Sequence, residues 1–187
     1  MLRSYVNNFT EYATRTLKAS NAVFVFDRYY QASKSPKSCI RAVRQQKQRT
    51  SRIHMLSLNM PLPSRNVILG DTQNKVQLNK ILADALTGIP PEATLRHTLT
   101  MAGVEDVPTD IYQGKKTERV DLKSEQEEAD GIVVQHAIAA ALQDKNVRVV
   151  SEDTNVWAMQ VHFYHATSIT GSVVISPPSK ERTAIDV

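Results

Sequence analysis

Short apolar runs that alternate with longer, helix-compatible segments are the feature that most constrains the fold of this chain. The run AVFVF at 22–26 is rich in β-branched and aromatic residues, and the run VRVV at 147–150 has the same character. Runs of this length and composition are typical of strands buried in a sheet. Strands that alternate with helices favour a parallel or mixed sheet covered by helices. The sequence therefore predicts an α/β fold.

Periodicity and breakers predict the remaining elements. A helix is expected over 2–19, another from an Asp71 cap to about Leu86, and a third from about Glu125 to Gln143. A shorter helix over 91–101, a weak strand near Ile111, and two strands at 157–168 and 171–176 complete the prediction. The segment 33–52 is expected to be a basic helical region, and 113–124 an exposed polar loop.

Acidic residues stand at the ends of both predicted strands and at the start of one predicted helix. Asp27 directly follows the first run, Asp153 closely follows the second, and the stretch EQEEAD opens the helix between them. Ligands of open α/β sheets collect at the carboxyl ends of the strands, and the first turn of a helix suits carboxylates. Five carboxylates are thereby predicted to meet at one edge of the sheet: Asp27, Glu127, Glu128, Asp130 and Asp153.

Carboxylates brought that close repel one another, and a hard divalent cation relieves the repulsion. Oxygen-only ligation favours Mg²⁺ or Mn²⁺ over zinc, and two such ions can promote phosphodiester hydrolysis. The alternative is that each acid is an ordinary turn or capping residue. Spacing alone leaves both interpretations open.

Charge is distributed unevenly along the chain. Residues 1–65 hold twelve Lys or Arg against two Asp or Glu, a net +10, whereas the remainder carries −6. Within this basic third, steps of three and four residues place several cations on one helix face, which would suit a phosphate backbone. The predicted nucleic-acid contacts are Lys34, Lys37, Arg41, Arg44 and Arg49. A solvated helix face remains the alternative.

Other features exclude several classes of protein. No apolar run approaches the ~18 residues that span a membrane. The single cysteine, Cys39, precludes an internal disulfide, which indicates an intracellular protein, cytoplasmic or nuclear. His162 and His165 are expected on opposite faces of a strand, a poor arrangement for one metal, and His136 is expected to be a satisfied core residue.

The acidic and basic segments together resemble the PIN and flap-endonuclease superfamily. AVFVFDRYYQASKSPKSCIRAVRQQ is similar to its strand that ends in a metal-binding Asp and leads into a basic region. EEADGIVVQHAIAAAL resembles its acidic helix start, and VRVVSEDTNV its strand ending in an Asp-x-Asp pair. The order of features over most of 20–160 is most similar to PIN-like proteins that spread with mobile elements in animal genomes.

The resemblance implies a three-layer PIN-like domain over 1–187 with a mostly parallel central sheet. It implies a divalent-metal-dependent nuclease with Mg²⁺ or Mn²⁺ as cofactor and nucleic acid as partner. Metal ligation and catalysis would fall to Asp27, Glu128, Asp130 and Asp153, with Glu127 as an adjacent ligand.

Three departures from the family pattern qualify this expectation. Asn155 stands where the second acid of the Asp-x-Asp pair belongs, no earlier acidic strand precedes Ala22, and no further helical segment follows. The domain is therefore expected to be an incomplete fragment. Besides an active or weakened nuclease, a non-catalytic nucleic-acid-binding or interaction domain and an inactive mobile-element remnant remain open.

Overall fold

The structure is a computed structural model, and it describes residues 2–29, 55–61, 63–94, 96–167, 169–178 and 185–186. The predicted basic helical region at 33–52 lies outside these residues. The described elements confirm the α/β class, with helices and two small sheets. In the described part of the chain, no helix has the length and apolar character needed to cross a membrane.

Helices are found where the sequence predicts them over 2–19 and after Asp71, and a short helix that the sequence analysis does not predict lies between them. Helix α1, Leu2–Glu11, is extended by a π-helical turn at Tyr12–Thr16. Helix α2 is Arg65–Gly70, and helix α3 is Thr72–Thr87. The Asp71 carboxylate caps α3 by accepting hydrogen bonds from the backbone N–H groups of Gln73 and Asn74, as predicted.

The first sheet has four strands, with β1 at one edge. These are β1 (Asn21–Val25), β2 (Thr98–Ala102), β3 (Thr109–Tyr112) and β4 (Lys115–Glu118). They lie in the order β1-β2-β3-β4, in which β1 and β2 are parallel and the other pairs antiparallel.

One sequence expectation in this region is wrong, and a second is right only for the exposure of most of its residues. The expected helix over 91–101 is reduced to a 3₁₀ turn at Pro91–Thr94, followed by β2, because Leu99, Thr100 and Ala102 are buried in a strand that pairs with β1 and β3. The expected polar loop at 113–124 includes β4, whose side chains are all exposed, and the buried Leu122.

The second half of the chain forms the other sheet and two more helices. Helix α4 is Ala129–Ala141, and helix α5 is Thr154–Ala166. Strands β5 (Val147–Val150), β6 (Val173–Ser176) and β7 (Ile185–Asp186) lie in that order, with β5 parallel and β7 antiparallel to β6. Because only two of the five described pairings are parallel, the sheets are mixed, and the expected mostly parallel sheet is wrong.

The strand expected at 157–168 is instead most of helix α5. Its buried residues, Val156 and Gln160, are four apart, and the half-buried Trp157 and Tyr164 extend the same helical face. The aromatic and β-branched content suggested a strand, but the spacing and the Asp153 cap are helical. Strands β5 and β6 are confirmed.

Helix α4 connects the two halves of the core. One cluster of buried side chains joins α4 and α5 to β5 and β6, and a smaller one lies on the first sheet around Leu99 and Ile111. Helix α4 packs against α5 and β5 and also contacts β1. Helix α4 therefore lies against a strand of each sheet.

Candidate acidic site

Asp27 ties the end of β1 to two helices. Its Oδ1 atom accepts a hydrogen bond from the backbone N–H of Ala129 at 2.9 Å, and its Oδ2 atom accepts one from the Tyr29 hydroxyl at 3.2 Å. Its backbone carbonyl accepts a hydrogen bond from the side-chain amide of Asn79 in α3, at 2.8 Å. Asp27 thus supplies the first N–H of α4 with an acceptor from a distant part of the chain.

The acidic helix begins later than the sequence suggests. Helix α4 begins at Ala129 and not near Glu125, so Glu128 is the N-cap residue, and only Asp130 lies in the first turn. Glu127 precedes the helix. Arg28 holds the backbone that precedes α4 through two hydrogen bonds. Its backbone N–H donates to the Glu127 carbonyl at 2.8 Å, and its guanidinium group donates to the Gln126 carbonyl at 3.1 Å.

Asp153 and Asn155 open helix α5. The Asp153 Oδ1 atom accepts the backbone N–H of Asn155 at 2.8 Å, which makes Asp153 the N-cap of α5. The Asn155 side chain lies close enough to the Asp130 carboxylate to favour its charged form. At the position where the family pattern has an acid, this chain therefore places an amide close to a neighbouring carboxylate.

Asp130 and three other predicted carboxylates lie close enough to influence one another's charge. The pKa of Asp130 is raised above its ordinary value, first by burial and then by the negative charges of Asp153, Glu128 and Asp27, while the Asn155 side chain opposes the shift. These carboxylates come from the end of β1, the start of α4 and the start of α5. Glu127 is not among the groups that act on Asp130.

The cluster does not form a closed metal site. Within the described ranges, no three His, Cys, Asp or Glu side chains are arranged to hold a metal ion. One reason is visible in the hydrogen bonds, since oxygens of Asp27 and Asp153 already accept N–H groups of helices. The donor set, carboxylates with one amide, is nevertheless chemically suited to Mg²⁺ or Mn²⁺, because both cations prefer oxygen ligands.

Arg28 is the residue of this region that the sequence reasoning missed, because it was counted only as one of the cations of the basic third. Its side chain is buried, and its guanidinium donates hydrogen bonds to backbone carbonyls in two other segments. The acceptors are the carbonyls of Gly103, Glu105, Ser124 and Gln126. The only signal in the sequence was its place directly after Asp27, at the end of a strand.

The predicted nucleic-acid contacts lie outside the described residues. This applies to Lys34, Lys37, Arg41, Arg44 and Arg49. Tyr29 precedes these residues in the chain. The ammonium group of Lys75 in α3 lies over the Tyr29 ring, 5.7 Å from the ring centre.

The histidines require two corrections. His162 and His165 lie on helix α5, both exposed, so the expectation of opposite strand faces is wrong; three residues apart on a helix, they are neighbours. His136 is buried on α4 as expected, but its Nε2 atom has no hydrogen-bond partner among the described groups, so it is not satisfied. The pKa of His136 is lowered, first by burial and then by the positive charge of Arg119.

No protein-family model, curated protein or solved structure matches this chain. The likeness to flap endonucleases therefore rests on the sequence motifs and remains a prediction. The structure adds the α/β class and the convergence of the carboxylates.

Proposed function

We propose that this chain is a metal-dependent, nuclease-like domain whose acidic cluster binds Mg²⁺ or Mn²⁺ and promotes phosphodiester hydrolysis. The observation that carries the proposal is the convergence of Asp27, Glu128 and Asp153, from three separate segments, on Asp130. A group of like charges around a partly buried carboxylate costs free energy unless a cation or a proton neutralises it.

Each group in the cluster has a role in this proposal. Asp130 lies at the centre and would bind the cation most directly, because the other three carboxylates all act on it. Asp27 and Asp153 would each contribute an oxygen that is not used in the helix hydrogen bonds. Glu128 would supply the fourth negative charge of the cluster. A bound cation would supply a nucleophilic hydroxide and would stabilise the leaving oxygen of the phosphodiester.

The strand to be cleaved would be held by the basic residues of 33–52. Lys34, Lys37, Arg41, Arg44 and Arg49 follow within about twenty residues of Asp27, so the chain leads directly from the acidic cluster to the cationic segment. Cations that contact phosphates give binding that weakens steeply with salt. DNA and RNA are equally compatible with this chemistry.

A second candidate function, nucleic-acid binding without catalysis, is favoured by a specific observation. Asp27 and Asp153 serve as helix caps, and Asn155 in place of an acid removes a negative charge from the cluster. Under this alternative, the carboxylates are structural, and the basic segment is the functional surface.

Cleavage assays separate the two candidates. Purified protein is incubated with fluorescently labelled single-stranded DNA and RNA, with and without Mn²⁺, and compared with Asp130→Asn and Asp153→Asn. The nuclease proposal predicts Mn²⁺-dependent cleavage that both substitutions abolish. Asp71→Asn, which changes a cap of α3 that does not act on Asp130, is the matched control and retains cleavage.

Two results of the same assay would contradict the nuclease proposal. Salt-sensitive binding of the same oligonucleotides without cleavage at any Mn²⁺ concentration would support the non-catalytic alternative. Cleavage that survives Asp130→Asn would instead reveal a contaminating nuclease and would contradict the proposed site.

A further inference from the structure

Arg28 is a buried cation enclosed by backbone carbonyls. The residue is only 4% exposed. Its Nε atom donates to the Gly103 carbonyl at 3.3 Å, one terminal nitrogen donates to Glu105 at 2.6 Å, and the other donates to Ser124 and to Gln126, the latter at 3.1 Å. An ion pair of 3.4 Å with Asp106 adds a carboxylate on the solvent side. Several donors of the guanidinium are thus used at once.

The acceptors belong to two segments that are far apart in sequence. Gly103, Glu105 and Asp106 lie in the loop after β2, and Ser124 and Gln126 lie immediately before α4. The loop also approaches β1 directly, because a Cβ on Gly103 would lie 1.9 Å from the Phe26 carbonyl oxygen, and Gly103 has φ of 87°. Only glycine fits that approach without displacement.

Two hydrogen bonds on either side of the Arg28 side chain fix the start of α4 to the end of β1. The Arg28 backbone N–H donates to the Glu127 carbonyl, and one residue earlier the Asp27 carboxylate accepts the N–H of Ala129. The guanidinium holds the chain just before Glu127 through Ser124 and Gln126. The Arg28 side chain therefore adds a third link, beside these two hydrogen bonds, that holds Asp27 near Glu128 and Asp130.

We propose that Arg28 is a positioning residue that sets the geometry of the acidic site by locking the β1 end, the loop after β2 and the start of α4 together. This role of Arg28 rests on the proposed function, because it presupposes that the acidic site binds a divalent cation. Arg28 acts through Asp27 and the backbone before Glu128, and it does not itself contact the bound ion.

Lysine cannot replace this arrangement. Its ammonium offers three donors from one point, whereas the guanidinium offers five from a planar fork that reaches acceptors on opposite sides. A lysine would leave carbonyls of the 103–105 or the 124–126 segment without a donor. Arg28→Lys keeps the positive charge and removes the hydrogen bonds that link the 103–105 and 124–126 segments. The substitution therefore tests the effect of these hydrogen bonds separately from the effect of the charge.

The first test compares Mn²⁺ affinity with local order. Free Mn²⁺ is counted by electron paramagnetic resonance, and amide hydrogen exchange is followed at Ala129. Arg28→Lys is expected to weaken Mn²⁺ binding by about tenfold or more, the range typical of residues that orient metal ligands, and to speed exchange at Ala129. The control is Arg119→Lys, because Arg119 is an arginine with 30% of its side chain exposed that binds Asp110 and Asp121 outside the cluster. It should change neither readout.

The second test is chemical rescue. In Arg28→Ala, millimolar guanidinium is expected to restore both Mn²⁺ affinity and Ala129 protection, because the carbonyl acceptors remain in place. Guanidinium should not restore Mn²⁺ binding to Asp130→Asn. A loss of general stability would not respond in this selective manner.

The outcomes are distinguishable from those of the proposed function. Arg28→Lys with wild-type Mn²⁺ affinity and wild-type Ala129 exchange would overturn the positioning role. If the wild type binds no Mn²⁺, the proposed function fails. Hydrogen exchange at Ala129 and its rescue by guanidinium still test whether Arg28 positions the start of α4. If the variants do not fold, the role of Arg28 is tested in the wild type alone. The Nε–H of Arg28 should then exchange with solvent far more slowly than the Nε–H of the exposed Arg15. Equal exchange rates would overturn the proposal.

Discussion

Asp130 and Asn155 form the pair that defines the acidic cluster at the residue scale. Because the pKa of Asp130 is raised on folding, the folded protein binds this proton more tightly than the unfolded chain. The ionised carboxylate therefore lowers stability above that raised pKa, and the penalty disappears as the pH falls towards the ordinary value of 3.8. The Asn155 amide reduces the penalty because it favours the charged carboxylate.

Asn155→Asp should make the protein less stable without metal and more stable with it. The substitution replaces the amide near Asp130 with a further negative charge, so repulsion increases until a cation neutralises it. We expect a lower melting temperature in EDTA and a larger increase on adding Mn²⁺ than in the wild type. Asn8→Asp, an equal change of charge on the exposed face of α1, is the control. A Mn²⁺ response unchanged from the wild type would contradict the cation site.

His136 should give the folded state a second pH dependence. Its folded pKa lies below the ordinary 6.5, so its contribution is fully present above pH 6.5 and is lost as the pH falls towards the lowered pKa. In this window, the free energy of unfolding should fall with a slope of at most about 1.4 kcal/mol per pH unit. His136→Leu, which also removes the unpartnered Nε2 atom, should flatten the slope, as measured by urea unfolding.

The exposed His162 provides the control for this measurement. His162→Gln should leave the slope between pH 5 and 7 intact, because His162 is exposed on α5 and lies outside the buried face that holds His136. A slope that persists in His136→Leu would assign the pH dependence to another group.

At the element scale, Asp153 combines a structural and an electrostatic role that substitutions can separate. Asp153→Asn keeps an acceptor for the Asn155 N–H, whereas Asp153→Ala removes it. We expect the alanine variant to lose about 1 kcal/mol of unfolding free energy, as is usual for an N-cap, and the asparagine variant to lose little. Both variants should lose Mn²⁺ binding to a similar degree. Full Mn²⁺ binding in Asp153→Asn would limit Asp153 to the capping role.

Local patterns predicted the elements wherever one signal dominated. The run at 22–26 predicted β1, the Asp71 cap predicted the start of α3, and the Val147 run predicted β5. Helix α5 differs from the predicted strand because its aromatic and β-branched residues favour strands, whereas the four-residue spacing from Val156 to Gln160 is helical. The start of α4 was misplaced because Arg28 holds the preceding backbone, and a contact of roughly one hundred residues in separation has no local signature.

The candidate site was partly accessible to the same reasoning. The sequence predicts that Asp27 and Asp153 approach Asp130, and both act on it. The expected single sheet edge is wrong, however, because β1 and β5 belong to different sheets. The hydrogen bonds that occupy Asp27 and Asp153 were not foreseeable, since they depend on where α4 and α5 begin. The pairing of Asn155 with Asp130 likewise depends on tertiary structure.

On the scale of the whole molecule, α4 should make the two sheets unfold as one unit. Trp157, the single tryptophan, packs against the core cluster formed by α4, α5, β5 and β6, whereas far-ultraviolet circular dichroism reports both halves. Because α4 packs on β5 and contacts β1, we expect fluorescence and circular dichroism to give coincident urea transitions. Separate transitions would show that the halves are independent and would favour a remnant without a cooperative fold.

The central claim is that the carboxylates around Asp130 form one divalent-cation site, and a Mn²⁺ titration monitored by electron paramagnetic resonance tests it most directly. The wild type should bind Mn²⁺ saturably, with Mg²⁺ competing, and Asp27→Asn, Asp130→Asn and Asp153→Asn should each abolish the binding while Asp71→Asn retains it. Absence of saturable binding in the folded wild type, or binding that survives all three substitutions, would contradict the account.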